Sequence, residues 1–421
     1  MPHEFSPVLL FLTQSVLFVA LPYLVWTIPR VRALVPLVVV QIMAGIGLGT
    51  SVLGAALPEV FELLFPPGSL ANIRGLAWIA VTFLAFLTGL HFDLTELRDT
   101  SRSFILTSLS SICVPTLLGV LAGWWVWRHL PEAAGAAADA TTFSLGMGIA
   151  AGVTALPVLG AILREMRLTT EPVGVFALGC AAVNDIALWV LVAGLLALVA
   201  GGDPRDALLI LTAAVGYVAA MILVVRPLLA RLFQRAALRG HVDEKDIVIL
   251  SGLLLCSSIA TEAIGIHYVV GAFTFGAIMP KAVAQDVLLK FESVVTVILL
   301  PFFFISTGLR TTFDVTSGAV LAVFVLMSAV SVLGKLAGTI VPARLAAGLN
   351  WRDSMALGSL MQCKGLMELV VLTMLLDAEV ISAVTFSAML FMALATTALT
   401  KPLVAWARRQ PAVAAQPASA R

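Results

Sequence analysis

Ala181-Ala182-Val183-Asn184-Asp185-Ile186-Ala187-Leu188-Trp189 sets an amide and an ionisable carboxyl side by side inside the apolar run from Pro172 to Ala200. A run of that length crosses a bilayer, for which about 20 residues at about 1.5 Å each suffice, and Asp185 falls near its middle. An ionised carboxylate at that depth costs about 3 kcal/mol, so it reads first as part of an ion or proton path. A carboxylate that merely ties helices together is the structural alternative.

Working outward, 60% of the 421 residues are hydrophobic and only 12% are charged. With a mean hydropathy of +1.06, the composition is that of an all-α polytopic membrane protein. A formal net charge of +1 argues against a nucleic-acid partner. Cys113, Cys180, Cys256 and Cys363 lie in apolar stretches without metal-ligand spacing and read as reduced packing residues. No cofactor and no bound metal is expected. The first apolar run, Val8 to Ile28, follows His3 and Glu4 rather than a basic segment, so no cleavable signal peptide is expected.

Hydrophobic runs bounded by Pro, Gly and charge predict about 13 spans, at roughly 7–28, 33–57, 72–92, 102–128, 141–163, 172–200, 206–233, 246–264, 266–284, 288–309, 316–344, 350–376 and 383–407. Threading alternate loops gathers Arg30, Arg32, Arg98, Arg102, Arg164, Arg167, Arg231, Arg235, Arg239, Lys245, Lys281, Arg344, Arg352, Lys401, Arg408 and Arg409 on one side. The other side keeps Arg74, Arg128, Arg205 and Arg310. The positive-inside rule then puts the N-terminus outside and the C-terminus in the cytoplasm, in a cell (inner) membrane. Residues 1–409 read as one transmembrane transporter domain, and 410–421 as a short disordered cytoplasmic tail of Ala, Pro, Gln and Ser.

Two spans are irregular. The fifth carries Gly146, Gly148, Gly152 and Pro157; the twelfth is interrupted by Gly358 and Gly365 and holds Lys364 and Glu368. They enter the membrane from opposite sides, which predicts inverted repeats, spans 2–6 (about 33–200) and spans 9–13 (about 266–407), whose discontinuous helices cross at the site. Unwound backbone at membrane depth is tolerated where it is buried in protein or lines a cavity. Freed carbonyls and the Thr154 hydroxyl beside Asp185 and Asn184 then form an oxygen-rich site for a hard cation such as Na⁺.

The other intramembrane charges also need partners. Lys364 and Glu368 stand at i and i+4, where they can pair locally. Lys335 has no acid nearby in sequence, so Asp185 is its expected partner. Glu262, at the outer end of the eighth span, reads either as the lip of an entrance or as a solvated helix end. His267 reads as a hydrogen-bonded boundary histidine.

Together these stretches resemble the cation:proton antiporter superfamily, the sodium/hydrogen exchanger fold, in the branch of the plant cation/H⁺ exchangers and the bacterial Kef and Nap-type antiporters. The resemblance rests on Val153-Thr-Ala-Leu-Pro-Val-Leu-Gly, Ala181-Ala-Val-Asn-Asp, Thr261-Glu-Ala-Ile-Gly-Ile-His and Leu300-Pro-Phe-Phe-Phe. Pro280-Lys281, Gly334-Lys335 and Lys364-Gly-Leu-Met-Glu complete it. It implies 13 helices, with a core of spans 4–6 and 11–13 moving like an elevator against a dimerising panel of spans 1–3 and 8–10. It also implies that Asp185 is the carboxylate binding cation and proton, that Lys335 pairs with it, and that Thr154 is the crossover position. The chain departs from it in carrying Asn184 where many relatives have a second Asp, and no cytoplasmic extension of the kind found in Kef and plant members is expected.

The function expected is therefore secondary antiport of a monovalent cation, Na⁺ or K⁺, against H⁺, by a homodimer in lipid. Cation and proton compete for Asp185, because only a neutralised carboxylate crosses the apolar barrier cheaply. If Lys335 surrenders a proton when the cation displaces it from Asp185, two protons move per cation; otherwise one does. The alternatives are a cation uniporter or channel, or a non-transporting sensor. An intramembrane enzyme is disfavoured, since the chain has no Gly-x-Gly-Asp, His-Glu-x-x-His or Gly-x-Ser-x-Gly motif.

Overall fold

A computed structural model describes residues 6–34, 37–90, 102–169, 171–201, 204–265, 267–311 and 318–409. Arg98 and the tail from 410 to 421 lie outside the described residues. All regular structure among the described residues is helical, apart from one isolated bridge between Ala134 and Ile381.

The helices, in chain order, are α1 (Pro7–Trp26), α2 (Leu37–Gly54), α3 (Leu70–Leu90), α4 (Arg102–His129), α5 (Ala140–Gly152), α6 (Leu156–Glu165), α7 (Pro172–Gly201) and α8 (Pro204–Ala220). They continue with α9 (Glu244–Ile264), α10 (Tyr268–Ala277), α11 (Lys281–Leu309), α12 (Gly318–Leu345), α13 (Trp351–Leu360), α14 (Leu366–Asp377) and α15 (Ala383–Arg409). Helix α8 runs on without a gap through Met221–Val225 and Arg226–Leu232, which gives the membrane-length stretch Thr212–Leu232, and short turns of helix fill Pro29–Leu34, Pro58–Leu64 and Gln234–Arg239. The starts follow local chemistry. Pro7, Pro172 and Pro204 open helices at the position where a missing N–H is harmless. Asp139 and Asn350 cap α5 and α13 by accepting their first free N–H groups.

Among the described residues, ten helices are long and apolar enough to cross a membrane. The other three expected spans are the pairs α5/α6 and α13/α14 and the ten-residue α10, so length and composition alone do not establish the count of thirteen. One boundary is corrected. The span placed at 266–284 ends as a helix at Ala277, and Lys281 opens α11, because Pro280 has no N–H with which to continue the earlier helix.

Two packed groups result. In one, α2 and α3 lie on α11, α3 also lies on α10, and α1 covers α2. Gly89 and Gly276 let α3 and α10 touch backbone to backbone: a Cβ on Gly89 would sit 2.8 Å from the Ala277 nitrogen and 3.0 Å from the Gly276 Cα. In the other, α4 packs on α5, α7 and α12, while α13 and α15 close over α12. The loop before α5 is sewn to the loop after α14 by Gly135 N–H to Val380 O, Ala137 N–H to Glu379 O and Ser382 N–H to Ala133 O, each 3.1 Å. The two broken segments are thus anchored to one another through their flanking loops as well as at their crossing.

Candidate functional site

The site is built where the two broken segments cross. Helix α5 stops at Gly152; Val153 is extended, and the chain resumes as α6 at Leu156. Helix α13 stops at Leu360 and α14 resumes after Gly365, whose φ of 130° only glycine adopts without strain. The two unwound stretches bond to each other. Ala155 N–H donates to Cys363 O at 2.8 Å, and the Thr154 hydroxyl donates to Met361 O at 3.1 Å.

Breaking a helix leaves carbonyls at one end and N–H groups at the other, each carrying partial charge. Lys364 answers the first. Its ammonium donates to Ala150 O and Ala151 O at 2.9 Å each and reaches Val153 O at 3.5 Å, so it caps the C-terminal end of α5. Ser331 of α12 adds a hydroxyl to Ala151 O at 3.3 Å. Glu368, in the first turn of α14, lies 3.3 Å from the Lys364 nitrogen, with both side chains fully buried. The pairing of Lys364 with Glu368 expected from their spacing is therefore present, as an ion pair without hydrogen-bond geometry. The freed carbonyls, expected as cation ligands, are instead taken up by Lys364 at Ala150, Ala151 and Val153.

Asp185, on α7, is 2% exposed, and neither of its oxygens has a hydrogen-bond partner among the described residues. The expected ion pair between Lys335 and Asp185 is not made. The Lys335 ammonium donates to the Thr154 hydroxyl at 2.6 Å. The reason is local: Thr154 sits in unwound chain, where its hydroxyl gives its proton across the break to Met361 O and turns its lone pairs to the buried Lys335 ammonium. Thr154 is thus the hinge of the site, holding Lys335 on one lone pair and Met361 O through its proton.

Asn184 faces α4. Its amide nitrogen donates to Ser111 Oγ at 3.0 Å, and Ser111 spends its own proton on Ser108 O at 2.7 Å. Ser108 in turn donates to Cys180 Sγ at 3.2 Å, one turn before Asn184. Ser108 and Ser111 are not among the residues expected at the site; their mark in the sequence is a cluster of four hydroxyls, Thr107, Ser108, Ser110 and Ser111, inside an apolar span. Glu262 stays exposed and accepts the Tyr268 N–H at 2.8 Å, which spends it on the start of α10. His267 caps the same helix through Val269 N–H at 3.5 Å. At the far end of α14, Asp377 pairs with Arg310 at the end of α11 at 2.7 Å, joining the two packed groups.

Asp185, Asn184, Thr154, Lys335, Lys364 and Glu368 are therefore all buried, and side-chain bonds or ion pairs link the last four to the crossover. Among the described residues no three His, Cys, Asp or Glu side chains are gathered to hold a metal. What the arrangement offers chemically is a desolvated carboxylate, Asp185, with neither oxygen bonded and no ion-pair partner among the described residues, near a crossover where Lys364 pairs with Glu368 and Lys335 donates to the neutral Thr154 hydroxyl.

Comparison with known proteins points the same way. The family model "Sodium/hydrogen exchanger, transmembrane" matches residues 15–406. Cation/H(+) antiporter 17 of Arabidopsis thaliana is 36% identical over 375 residues, covering 88% of this chain and 45% of that one. Na(+)/H(+) antiporter NhaS4 of Synechocystis is 33% identical over 372 residues, covering 88% of this chain and 90% of that one. K(+)/H(+) antiporter 1 of Saccharomyces cerevisiae is 27% identical, covering 94% and 46%. The chain thus spans less than half the length of the plant and yeast relatives. The sodium proton antiporter MjNhaP1 from Methanocaldococcus jannaschii shares the fold, with a TM-score of 0.66 over 96% of this chain and 98% of that one at 14% identity. By the family match over residues 15–406 and by its relatives, with the fold in agreement, this chain belongs to the sodium/hydrogen exchanger family of transmembrane cation/H⁺ antiporters.

Proposed function

We propose that this chain exchanges a monovalent cation, Na⁺ or K⁺, for H⁺ by alternating access, with cation and proton competing for Asp185. The observation that carries the reading is the Asp185 carboxylate, 2% exposed and without a hydrogen-bond donor or ion-pair partner among the described residues. A buried carboxylate in that state is neutralised either by a proton or by a cation, and the two exclude each other. Lys335, held by Thr154, contributes positive charge without occupying the carboxylate. Relatives named for Na⁺ and for K⁺ both lie within the family, so selection among alkali cations falls to the geometry around Asp185. In this reading the N-terminus is outside, the group holding α4 to α7 and α12 to α15 moves against the group holding α1 to α3, and two copies assemble in lipid.

The test is exchange in proteoliposomes, read as cation-driven dissipation of a pH gradient with Li⁺, Na⁺, K⁺ and Rb⁺. Asp185→Asn keeps the shape and loses the titrating group, so exchange should fall below about a tenth of the native rate while the protein still elutes as native. Substantial exchange by that variant moves the site elsewhere, and cation flux that carries no protons identifies a uniporter.

A further inference from the structure

Trp189 stands four residues after Asp185 on α7, which places both side chains on one face of the helix. The indole is 2% exposed, and its Nε1–H has no acceptor among the described residues. Buried N–H groups are nearly always paired, as are buried carboxylates. Here an orphan donor and an orphan acceptor sit one helical turn apart. The ring is held by apolar contact, with Phe273 of α10 at 5.7 Å between centroids and 36° between planes, and no polar partner holds its nitrogen edge.

None of the described charged and titratable groups around Asp185 is hydrogen-bonded to it. Lys335 of α12, the nearest in charge, points one N–H at Thr154 and makes no ion pair with Asp185, Lys364 and Glu368 at the α13/α14 break face each other, and Cys180 on α7 itself is bonded to Ser108 of α4. We propose that Trp189 is a positioning residue of the exchange site: its indole N–H donates to the ionised Asp185 carboxylate, directly or through one water, whether or not a cation is bound. The protonated acid gains less from that donor. Trp189 therefore tilts the competition toward the cation, and through Phe273 it ties that balance to the neighbouring helix group. This rests on Asp185 being the exchange site.

The test is Trp189→Phe, which keeps an aromatic ring against Phe273 and removes the N–H, measured in proteoliposomes beside native protein and Asp185→Asn. The cation concentration for half-maximal exchange should rise about tenfold, roughly the worth of one hydrogen bond to a charged group. The maximal rate at saturating cation should stay within about twofold, since the carrier step is untouched. The pH profile of exchange should move toward higher pH, because protons displace cations more readily. A packing role alone would move neither the cation affinity nor the pH profile in that paired way. If the Phe variant does not purify as folded protein, 3-benzothienylalanine at position 189, an indole isostere with sulfur in place of N–H, is measured instead. Unchanged affinity and pH profile, with Asp185→Asn inactive, overturns the donor role alone. An active Asp185→Asn overturns the site reading beneath it.

Discussion

Replacing Lys364 by Met should be among the most damaging single changes to the fold, and the structure says by how much. The ammonium is fully buried, lies 3.3 Å from Glu368 and donates to two carbonyls at 2.9 Å. Removing one partner of a buried ion pair costs about 3–5 kcal/mol, because the remaining charge is left desolvated and alone. The two carbonyls at the end of α5 lose donors as well, at about 1 kcal/mol each. These losses share one site and do not add in full, so about 4–6 kcal/mol is expected. The double change Lys364→Met with Glu368→Gln removes the orphan charge and leaves only the unmade polar contacts, about 2 kcal/mol. For a chain of this size that is a fall of about 5–7 °C in apparent melting temperature for the single variant and about 2 °C for the double. The assay is thermal unfolding in detergent, followed by size exclusion at one fixed heating rate, since the transition is governed by rate as well as equilibrium. Native melting of Lys364→Met, or a double variant that melts below the single one, would refute the assignment of Lys364 as the clamp of the crossover.

Asp139 caps α5 by accepting from Thr141 N–H at 2.8 Å and Thr142 N–H at 2.7 Å, and the Thr142 N–H chiefly holds its carboxyl below the usual carboxylate range. The stabilisation is present above the unfolded value near pH 3.9 and is lost as pH falls through the lowered folded value. Asp139→Ala should therefore cost about 1 kcal/mol at neutral pH, and the gap to native protein should close on acidification, read from melting temperatures across pH. Thr154→Val strips Lys335 of its hydroxyl acceptor and should weaken apparent cation affinity more than maximal rate, with Thr154→Ser restoring it; equal affinity in the Val variant would reduce Thr154 to a backbone tie. Its melting temperature should also drop, since a buried ammonium is left without that acceptor.

The parts of this architecture written in short-range pattern were legible in the chain. Asp185 and Asn184 stand out because the surrounding residues are apolar, and the Lys364–Glu368 contact follows from a spacing of four. Gly365 marks its break because no other residue accepts a φ of 130°. What stayed hidden depends on distance in sequence. Lys335 and Thr154 are 181 positions apart, and nothing local distinguishes a threonine that accepts from an ammonium from one bonded to its own helix, as Thr88 is to Leu84. The tie from Asn184 to Ser111 spans 73 positions, and the unpaired indole of Trp189 is invisible until the neighbours of its ring are known. The wider helical turns at Met221–Val225 and Val294–Leu299 do leave a mark, since each runs into a proline two residues on, Pro227 and Pro301, whose missing N–H interrupts the i−4 ladder.

The clamp at Lys364 changes what kind of object the crossover is. Two half-helices meeting inside a membrane need positive charge at the carbonyl end, and a dissolved ion could provide it only at the concentration the surroundings happen to hold. Here the charge is attached by its own carbon chain, so it cannot be leached, exchanged or outcompeted. The charge of the clamp is therefore supplied by the chain and not by the salt around it, and in the reading proposed above that leaves Asp185 to answer to the ions on either side.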